Sequence, residues 1–246
     1  MNVLLSGASG FGGQGILKIL TESHYVRGTD LRENGSCSEW MLGDVADLNF
    51  CRRAVEGMDA VVICHMAPYP DGYKTPDIAV DINVKGAANL YHAMIESGIR
   101  RAVLISSAGV LRQEAGIFTE PGVGPYPDKV SLYYVTKIMQ EMLARHYFVN
   151  DGISTAILRC GWVVNEDSLA TKYGAVTETY APHILDPRDI GYAVKLALEL
   201  KDPGLESFIL TQADYEADHT ATRDRLGWIP KHRFDILRRA NKSCEV

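Results

Sequence analysis

The chain has 246 residues, 46% of them hydrophobic and 23% charged, which excludes disorder, a collagen-like repeat and a coiled coil. Its 25 Lys and Arg stand against 31 Asp and Glu, a net charge of −6, so no basic surface is offered to nucleic acid or anionic lipid. No stretch approaches the roughly 20 apolar residues of a membrane helix, and length permits one large α/β domain or one domain with a small lobe.

The start, MNVLLSGASG, lacks a basic n-region and reads as a strand rather than a signal peptide. From there short β-branched runs, expected as strands at 2–6, 25–30, 40–44, 60–65, 102–106 and 154–159, alternate with amphipathic segments. The helices are expected at 12–22, 47–56, 77–97 and 132–150. The run AVVIC before His65 is apolar at every position, as suits a strand buried on both faces. This pattern predicts an α/β fold, a Rossmann-type doubly wound parallel sheet, over residues 1–162. After about Gly161 the alternation stops. A loop-rich stretch at 163–187 leads to a helix at 188–200, a short strand at 207–211, a helix at 217–226 and a terminal helix after GWIPKHRF. Residues 163–246 are therefore expected to form a small C-terminal substrate lobe capping the strand ends. Five scattered cysteines (Cys37, Cys51, Cys64, Cys160 and Cys244), none in a C-x-x-C pair, predict free thiols in a reducing cytoplasm.

The first strand runs into Gly7-Ala8-Ser9-Gly10-Phe11-Gly12-Gly13 and then a helix. In this context Gly7 can make the tight turn, Gly10 admits a pyrophosphate, and Gly13 allows close helix–strand packing, with free N–H groups at the helix start. A tight strand–helix turn without a ligand is the alternative, since the spacing is G-x-x-G-x-x-G rather than G-x-G-x-x-G. Asp30, 23 residues after Gly7, can accept both hydroxyl protons of an adenosine ribose and repel a 2′-phosphate, which favours NAD over NADP. Asp44 and Val45 stand where a side chain and a backbone group can hold an adenine edge; Asp44 reads equally as a helix-start residue.

Tyr133 and Lys137 are four apart on a predicted helix and share a face. A phenol of pKa about 10 becomes a base near pH 7 only with about 4 kcal/mol of preferential phenolate stabilisation, part of which a neighbouring ammonium supplies. An isolated pair of this kind also occurs on exposed helices; Tyr134 has no lysine at that spacing. Ser106 and Ser107 end the fifth strand, where a hydroxyl can position a substrate oxygen while Tyr133 takes its proton.

With these pieces the chain resembles the extended short-chain dehydrogenase/reductase family, also called the NAD-dependent epimerase/dehydratase family. The matching segments are GASGFGG (7–13), Asp30, GDV (43–45), CHMA (64–67), NVKGAANL (83–90), ISSAGV (105–110), YYVTK (133–137), LRCG (158–161) and DPRDIGYA (186–193), in the family's order. The resemblance implies an NAD cofactor held by Gly7, Gly10, Phe11, Gly12, Gly13, Asp30, Asp44 and Val45. Met66 and Ala67 would line it and Cys160 would lie near the carboxamide. It implies Tyr133 as catalytic base or acid, Lys137 as the partner that also binds the nicotinamide ribose, and Ser107 as the active-site serine. Ser107, Ala108 and Tyr133 would meet the substrate. The chain departs from the family where Val110-Leu111-Arg112 replaces Val-Tyr-Gly and where Cys160 replaces a proline.

About 85 residues follow Gly161, fewer than the lobe of typical sugar-nucleotide epimerases. The ending LGWIP (226–230) resembles the compact uronate dehydrogenase branch. The expected activity is hydride transfer between a small free sugar or sugar acid and NAD. A sugar-nucleotide 4-epimerase or dehydratase with retained NAD, and a silent dinucleotide sensor, are the alternatives. Ala108 and Gly109 replace the polar pair of the uronate enzymes, and residues 163–187 hold no arginine, only Lys172; Arg112 from another loop is a substitute clamp, and a neutral sugar fits as well. The seven histidines show no metal-ligand spacing, so no metal is expected, and His65 reads as a strand cap. Asp186 and Asp189 read as anchors of the lobe rather than a catalytic pair. The helices of NVKGAANLYHAMIE and YYVTKIMQEMLARHYF are apolar on more than one face; by resemblance they pair in a homodimer.

Overall fold

The structure is a computed structural model that describes residues 1–68, 71–110, 112–114, 117–119 and 131–243, with backbone alone at 112–114, 117–119 and 242–243. In chain order the elements are β1 (Asn2–Ser6), α1 (Phe11–Leu20), β2 (Tyr25–Asp30), β3 (Glu39–Leu42), α2 (Leu48–Val55), β4 (Ala60–Ile63), α3 (Pro76–Ala79), α4 (Gly86–Glu96) and β5 (Arg101–Ser107). There follow β6 (Arg112–Glu114), β7 (Ile117–Thr119), α5 (Leu132–Asp151), β8 (Ser154–Cys160), β9 (Trp162–Val163), β10 (Ile184–Leu185), α6 (Pro187–Glu199), β11 (Leu205–Leu210) and α7 (Asp235–Ser243). Seven strands form one sheet in the order β11-β8-β5-β4-β1-β2-β3, and every pairing in it is parallel.

The continuous apolar runs follow from helices on both faces. Val3, Leu5, Val62, Val103 and Leu158 pack with Ile16 of α1 and Val194 of α6. The intervening Leu4, Val61, Ile63, Leu104 and Ile157 pack with Phe50 of α2, Leu90 and Met94 of α4 and Ala144 of α5. Period-two alternation thus buries both sets, and no polar face is left along these strands.

Three segments differ from expectation. The strand expected inside the lobe is β11, and it pairs with β8 to extend the main sheet, while α6 packs on α1; the sheet therefore takes in more of the chain than residues 1–162. Its Phe208 and Leu210 are fully buried and complete the core at that edge. The helix expected over 77–97 runs from Pro76 to Glu96, but it carries a wide π turn, Val80–Lys85, between α3 and α4. The helix expected at 217–226 is a single wide turn, Ala221–Arg225. The Asp218 carboxylate accepts the Thr220 N–H at 2.9 Å, an Asx turn that stops the helix from starting earlier.

What remains of the lobe has a small core of Val164, Ile184, Phe234 and Leu237. Among the described residues, no helix is long and apolar enough to cross a membrane, and Cys37, Cys51, Cys64 and Cys160 are free thiols. Cys244 lies outside the described residues.

Candidate active site

Strand order reverses between β1 and β4, and a crevice opens beyond the carboxyl ends of the strands at such a point. The glycine turn sits there. Gly7 has φ of +72°, and a Cβ on it would lie 2.6 Å from the His65 backbone. A Cβ on Gly13 would lie 2.2 Å from the Gly7 carbonyl oxygen, so the turn closes onto α1 only with glycine at both. Gly10 is the N-cap of α1 and gives it no side-chain cap. The first-turn N–H groups at Phe11, Gly12 and Gly13 are thus left for an external acceptor such as a phosphate.

Asp30 ends β2 beside this turn. Its Oδ2 accepts the Ser9 N–H at 3.0 Å and its Oδ1 the Leu31 N–H at 2.8 Å. Those bonds fix the carboxylate at the mouth of the crevice. Asn34 and Gln14 donate to the Ser9 and Ala8 carbonyls at 3.2 and 2.9 Å and tie the following loop to the turn.

Asp44 and Val45 lie past the end of β3. The Asp44 Oδ1 accepts the Ala46 N–H at 2.8 Å, while Asp47 caps α2 through the Asn49 N–H at 2.9 Å. The Val45 carbonyl accepts from Asn89 Nδ2 at 2.9 Å. Beyond β4, Met66 is half-buried and its sulfur accepts from Lys172 Nζ at 3.6 Å. Ala67 is fully buried and donates its N–H to Asn83 Oδ1 at 2.7 Å.

Ser107 ends β5. Its Oγ accepts the Gly109 N–H at 3.2 Å, and its side chain faces the Tyr133 phenol. Burial pushes the Tyr133 phenol well above its ordinary value, and the Ser107 hydrogen bond works against that. Lys137 is 3% exposed, with Nζ donating to the Ile105 carbonyl at 2.8 Å. Burial lowers this ammonium to about 8. Cys160 ends β8, 4% exposed, and burial pushes its thiol up. Ala108 is 6% exposed, and a Cβ on Gly109 would lie 2.2 Å from the Tyr134 ring. This stretch therefore carries no polar side chain, and Tyr134 packs against it.

The expected residues gather at one edge of the sheet. Asp186 and Asp189 do not join them. Asp186 caps α6 and holds the Glu166 N–H at 2.7 Å and Arg188 Nε at 2.8 Å. Asp189 accepts the Lys231 and His232 N–H groups at 3.1 and 3.0 Å. Both carboxylates anchor the chain around α6, as read from the sequence. Arg112, the substitute clamp, has its side chain outside the described residues, as does most of the 111–128 loop.

Sequence reasoning passed over four residues. Asn83, in the wide turn, donates to Tyr73 Oη at 3.0 Å and Thr136 Oγ1 at 2.9 Å, joining three site segments through Ala67. Tyr73 presses edge-on against Tyr133, ring centroids 5.5 Å apart. Glu141 and Arg159 form a buried ion pair at 2.8 Å. Arg159 was visible as a charge in an otherwise apolar strand, and Glu141 as a second four-residue step along the Tyr133–Lys137 face.

Three comparisons bear on this site. The family model described as the NAD dependent epimerase/dehydratase family matches residues 3–193. L-arabinose 1-dehydrogenase (NAD(P)(+)) of Haloferax volcanii is 27% identical over 93% of this chain and 96% of its own length. A tyrosine-to-alanine variant of uronate dehydrogenase from Agrobacterium tumefaciens, complexed with NAD, superposes with a TM-score of 0.73 at 25% identity, over 98% of this chain and 89% of that one. UDP-glucose 4-epimerase of Thermotoga maritima aligns over 100% of both chains, with a TM-score of 0.75 and 17% identity. That last likeness is one of fold alone, and it means the extent of the fold does not separate dehydrogenase from epimerase.

Proposed function

The chain belongs to the NAD-dependent epimerase/dehydratase family, is an enzyme of the extended short-chain type with NAD as its cofactor, and within that family we propose that it is a dehydrogenase of a small free sugar or sugar acid. The observation that carries this reading is the placement of the Ser107 side chain, at the end of β5, beside the Tyr133 phenol, with Lys137 one turn along the same face. NAD, when bound, supplies the acceptor for a hydride from the substrate carbon.

The uncapped first turn of α1, at Phe11, Gly12 and Gly13, holds the pyrophosphate. Asp30 takes the adenosine ribose hydroxyls. Met66, Ala67 and Cys160 line the nicotinamide side, and Asp44 and Val45 the adenine side.

Ser107 holds the substrate hydroxyl and Tyr133 Oη receives its proton as the carbon is oxidised. The ammonium of Lys137 favours the phenolate through its charge in a water-poor cleft. Tyr73 and Tyr134, both in edge contact with the Tyr133 ring, exclude water from it.

The free-sugar reading is supported by the L-arabinose dehydrogenase relative, which this chain matches over almost its whole length, and by the uronate dehydrogenase neighbour. Lys172, reaching Met66 from the lobe, is the handle for a carboxylate if the substrate is an acid. Ala108 and Gly109 offer no polar side chain for further hydroxyls. A 4-epimerase with retained NAD is the second reading, since the same fold also carries that chemistry in the Thermotoga maritima enzyme.

The deciding experiment is a panel of pentoses, hexoses and their uronic acids with NAD, following absorbance of the reduced cofactor. Accumulating NADH with a free sugar or acid upholds the dehydrogenase. Tightly held NAD and interconversion of a nucleotide sugar without net reduction would replace it with the epimerase.

A further inference from the structure

The end of β5 meets one stripe of α5 at three successive residues. Ser107 faces Tyr133, and the Ile105 carbonyl accepts from Lys137 Nζ at 2.8 Å. Between them the Ser106 hydroxyl donates to Glu141 Oε1 at 2.5 Å. Tyr133, Lys137 and Glu141 recur every four residues, so they lie on one face of the helix.

Glu141 is 7% exposed and Arg159 3%. Arg159 of β8 reaches it with Nε at 3.2 Å from Oε1 and a terminal nitrogen at 2.8 Å from Oε2, a two-pronged pairing. Strand alternation places Ser106 and Arg159 on the α5 face of the sheet, opposite Ile105 and Leu158. A buried ion pair of this kind contributes little net stability against an apolar pair of the same volume, which makes its place beside the reacting groups the more telling.

The groups acting on Lys137 come from four elements: Cys64 after β4, Cys160 on β8, Lys172 from the lobe and Glu141 on its own helix. His65 faces it as well, and Tyr133 stands one turn before it. Burial pushes both thiols up, Cys64 to about 11, so neither carries charge at neutral pH. His65 is driven to its neutral form by burial and by the Lys137 charge. Lys172 repels. Glu141 is the one carboxylate in the set.

We propose that Glu141 is a positioning residue of the site, holding Lys137 as an ammonium and locking the Tyr133–Lys137 face of α5 onto the end of β5, with Arg159 setting how much of its charge Lys137 feels. The proposal rests on the roles given above to Tyr133 and Lys137. It accounts for the buried ion pair of Glu141 and Arg159 beside the Tyr133–Lys137 face. Removing the carboxylate leaves Lys137 facing the Lys172 charge, so its proton is lost at lower pH. Removing Arg159 leaves the carboxylate unshared, so the proton is held to higher pH.

The test follows the Lys137 side chain by NMR of protein with isotope-labelled lysine, without cofactor, identified by its loss in Lys137→Arg. Glu141→Gln is expected to move the Lys137 titration midpoint down, and Arg159→Met to move it up. Arg159→Lys, which keeps the charge, restores the wild-type midpoint. The pH profile of kcat shifts in the same two opposite directions. A purely structural pair would lower the melting temperature in both variants and leave the titration where it was. Unmoved or same-direction titrations overturn the proposal. If Glu141→Gln does not fold, Arg159→Met against Arg159→Lys decides alone. The titration needs no turnover: opposite shifts in a protein that oxidises no sugar would uphold Glu141 and sink the dehydrogenase reading.

Discussion

The Ser107 hydroxyl sits beside the Tyr133 phenol and accepts the Gly109 N–H at 3.2 Å. In the proposed mechanism this places a hydroxyl next to the atom that becomes a phenolate. Tyr133→Phe removes that atom and keeps the ring packed on Tyr73. Turnover is expected to fall about 1,000-fold or more, with NAD affinity within a few-fold of wild type. Ser107→Ala, which leaves Tyr133 in place, costs less, about 10- to 100-fold. Comparable turnover in Tyr133→Phe would remove it from the mechanism.

In the proposed site Asp30 reads the cofactor. Its two oxygens are set by the Ser9 and Leu31 N–H groups, and a 2′-phosphate placed there meets a fixed negative charge. Asp30→Ser keeps a small polar residue but removes that charge. The ratio of kcat/KM for NAD over NADP should fall about 10-fold or more, through a higher KM for NAD and a lower one for NADP. An unchanged ratio would show that the selectivity lies elsewhere, Arg32 being the next residue to vary.

The sheet was legible because burial on both faces leaves continuous apolar runs at 3–5, 60–63 and 102–105 and glycines at the first turn. So was the edge where Gly7, Asp30, Ser107 and Tyr133 gather, since each lies at or beside one end of an element. The place of β11 was not: LESFIL reads as a strand, but which sheet edge it joins is set by α6 packing on α1 far away in the chain. The wide turn at Val80–Lys85 was hidden for a related reason. Its cause is Asn83, whose partners Ala67, Tyr73 and Thr136 lie elsewhere in sequence, and helical periodicity carries no trace of them. Glu141 read as one more polar helix residue because its partners, Ser106 and Arg159, are on strands.

His65 makes stability depend on pH. It is 6% exposed, with Nδ1 at 2.8 Å from Ser6 Oγ, and burial, helped by the Lys137 charge, lowers it from 6.5 to about 3. The unfolded chain binds its proton first as pH falls. The stabilisation is therefore complete above about pH 6.5 and is lost progressively toward pH 3. Between pH 7.5 and 4.5 this one group should remove about 2–3 kcal/mol. Urea denaturation at the two values, in wild type and His65→Gln, measures it: the variant should be less stable at pH 7.5 yet lose less on acidification. Equal losses in both proteins would place the titrating group elsewhere.

The outer face of α5 bears on assembly. Val135, Met139, Met142 and Val149 are 39, 37, 61 and 69% exposed, at steps of four, three and seven residues, so they form one stripe along a 20-residue helix. Four exposed apolar side chains in line are what a second helix surface covers, and we propose a homodimer paired through this face. Sedimentation at micromolar concentration should give about twice the 27.1 kDa of the chain. Met142→Glu combined with Val149→Lys puts unpaired charges into the contact and should yield monomer, with helical content unchanged because both positions already face outward. Wild-type protein that sediments as a monomer would end the proposal. A dimer untouched by the double substitution would move the interface to another face.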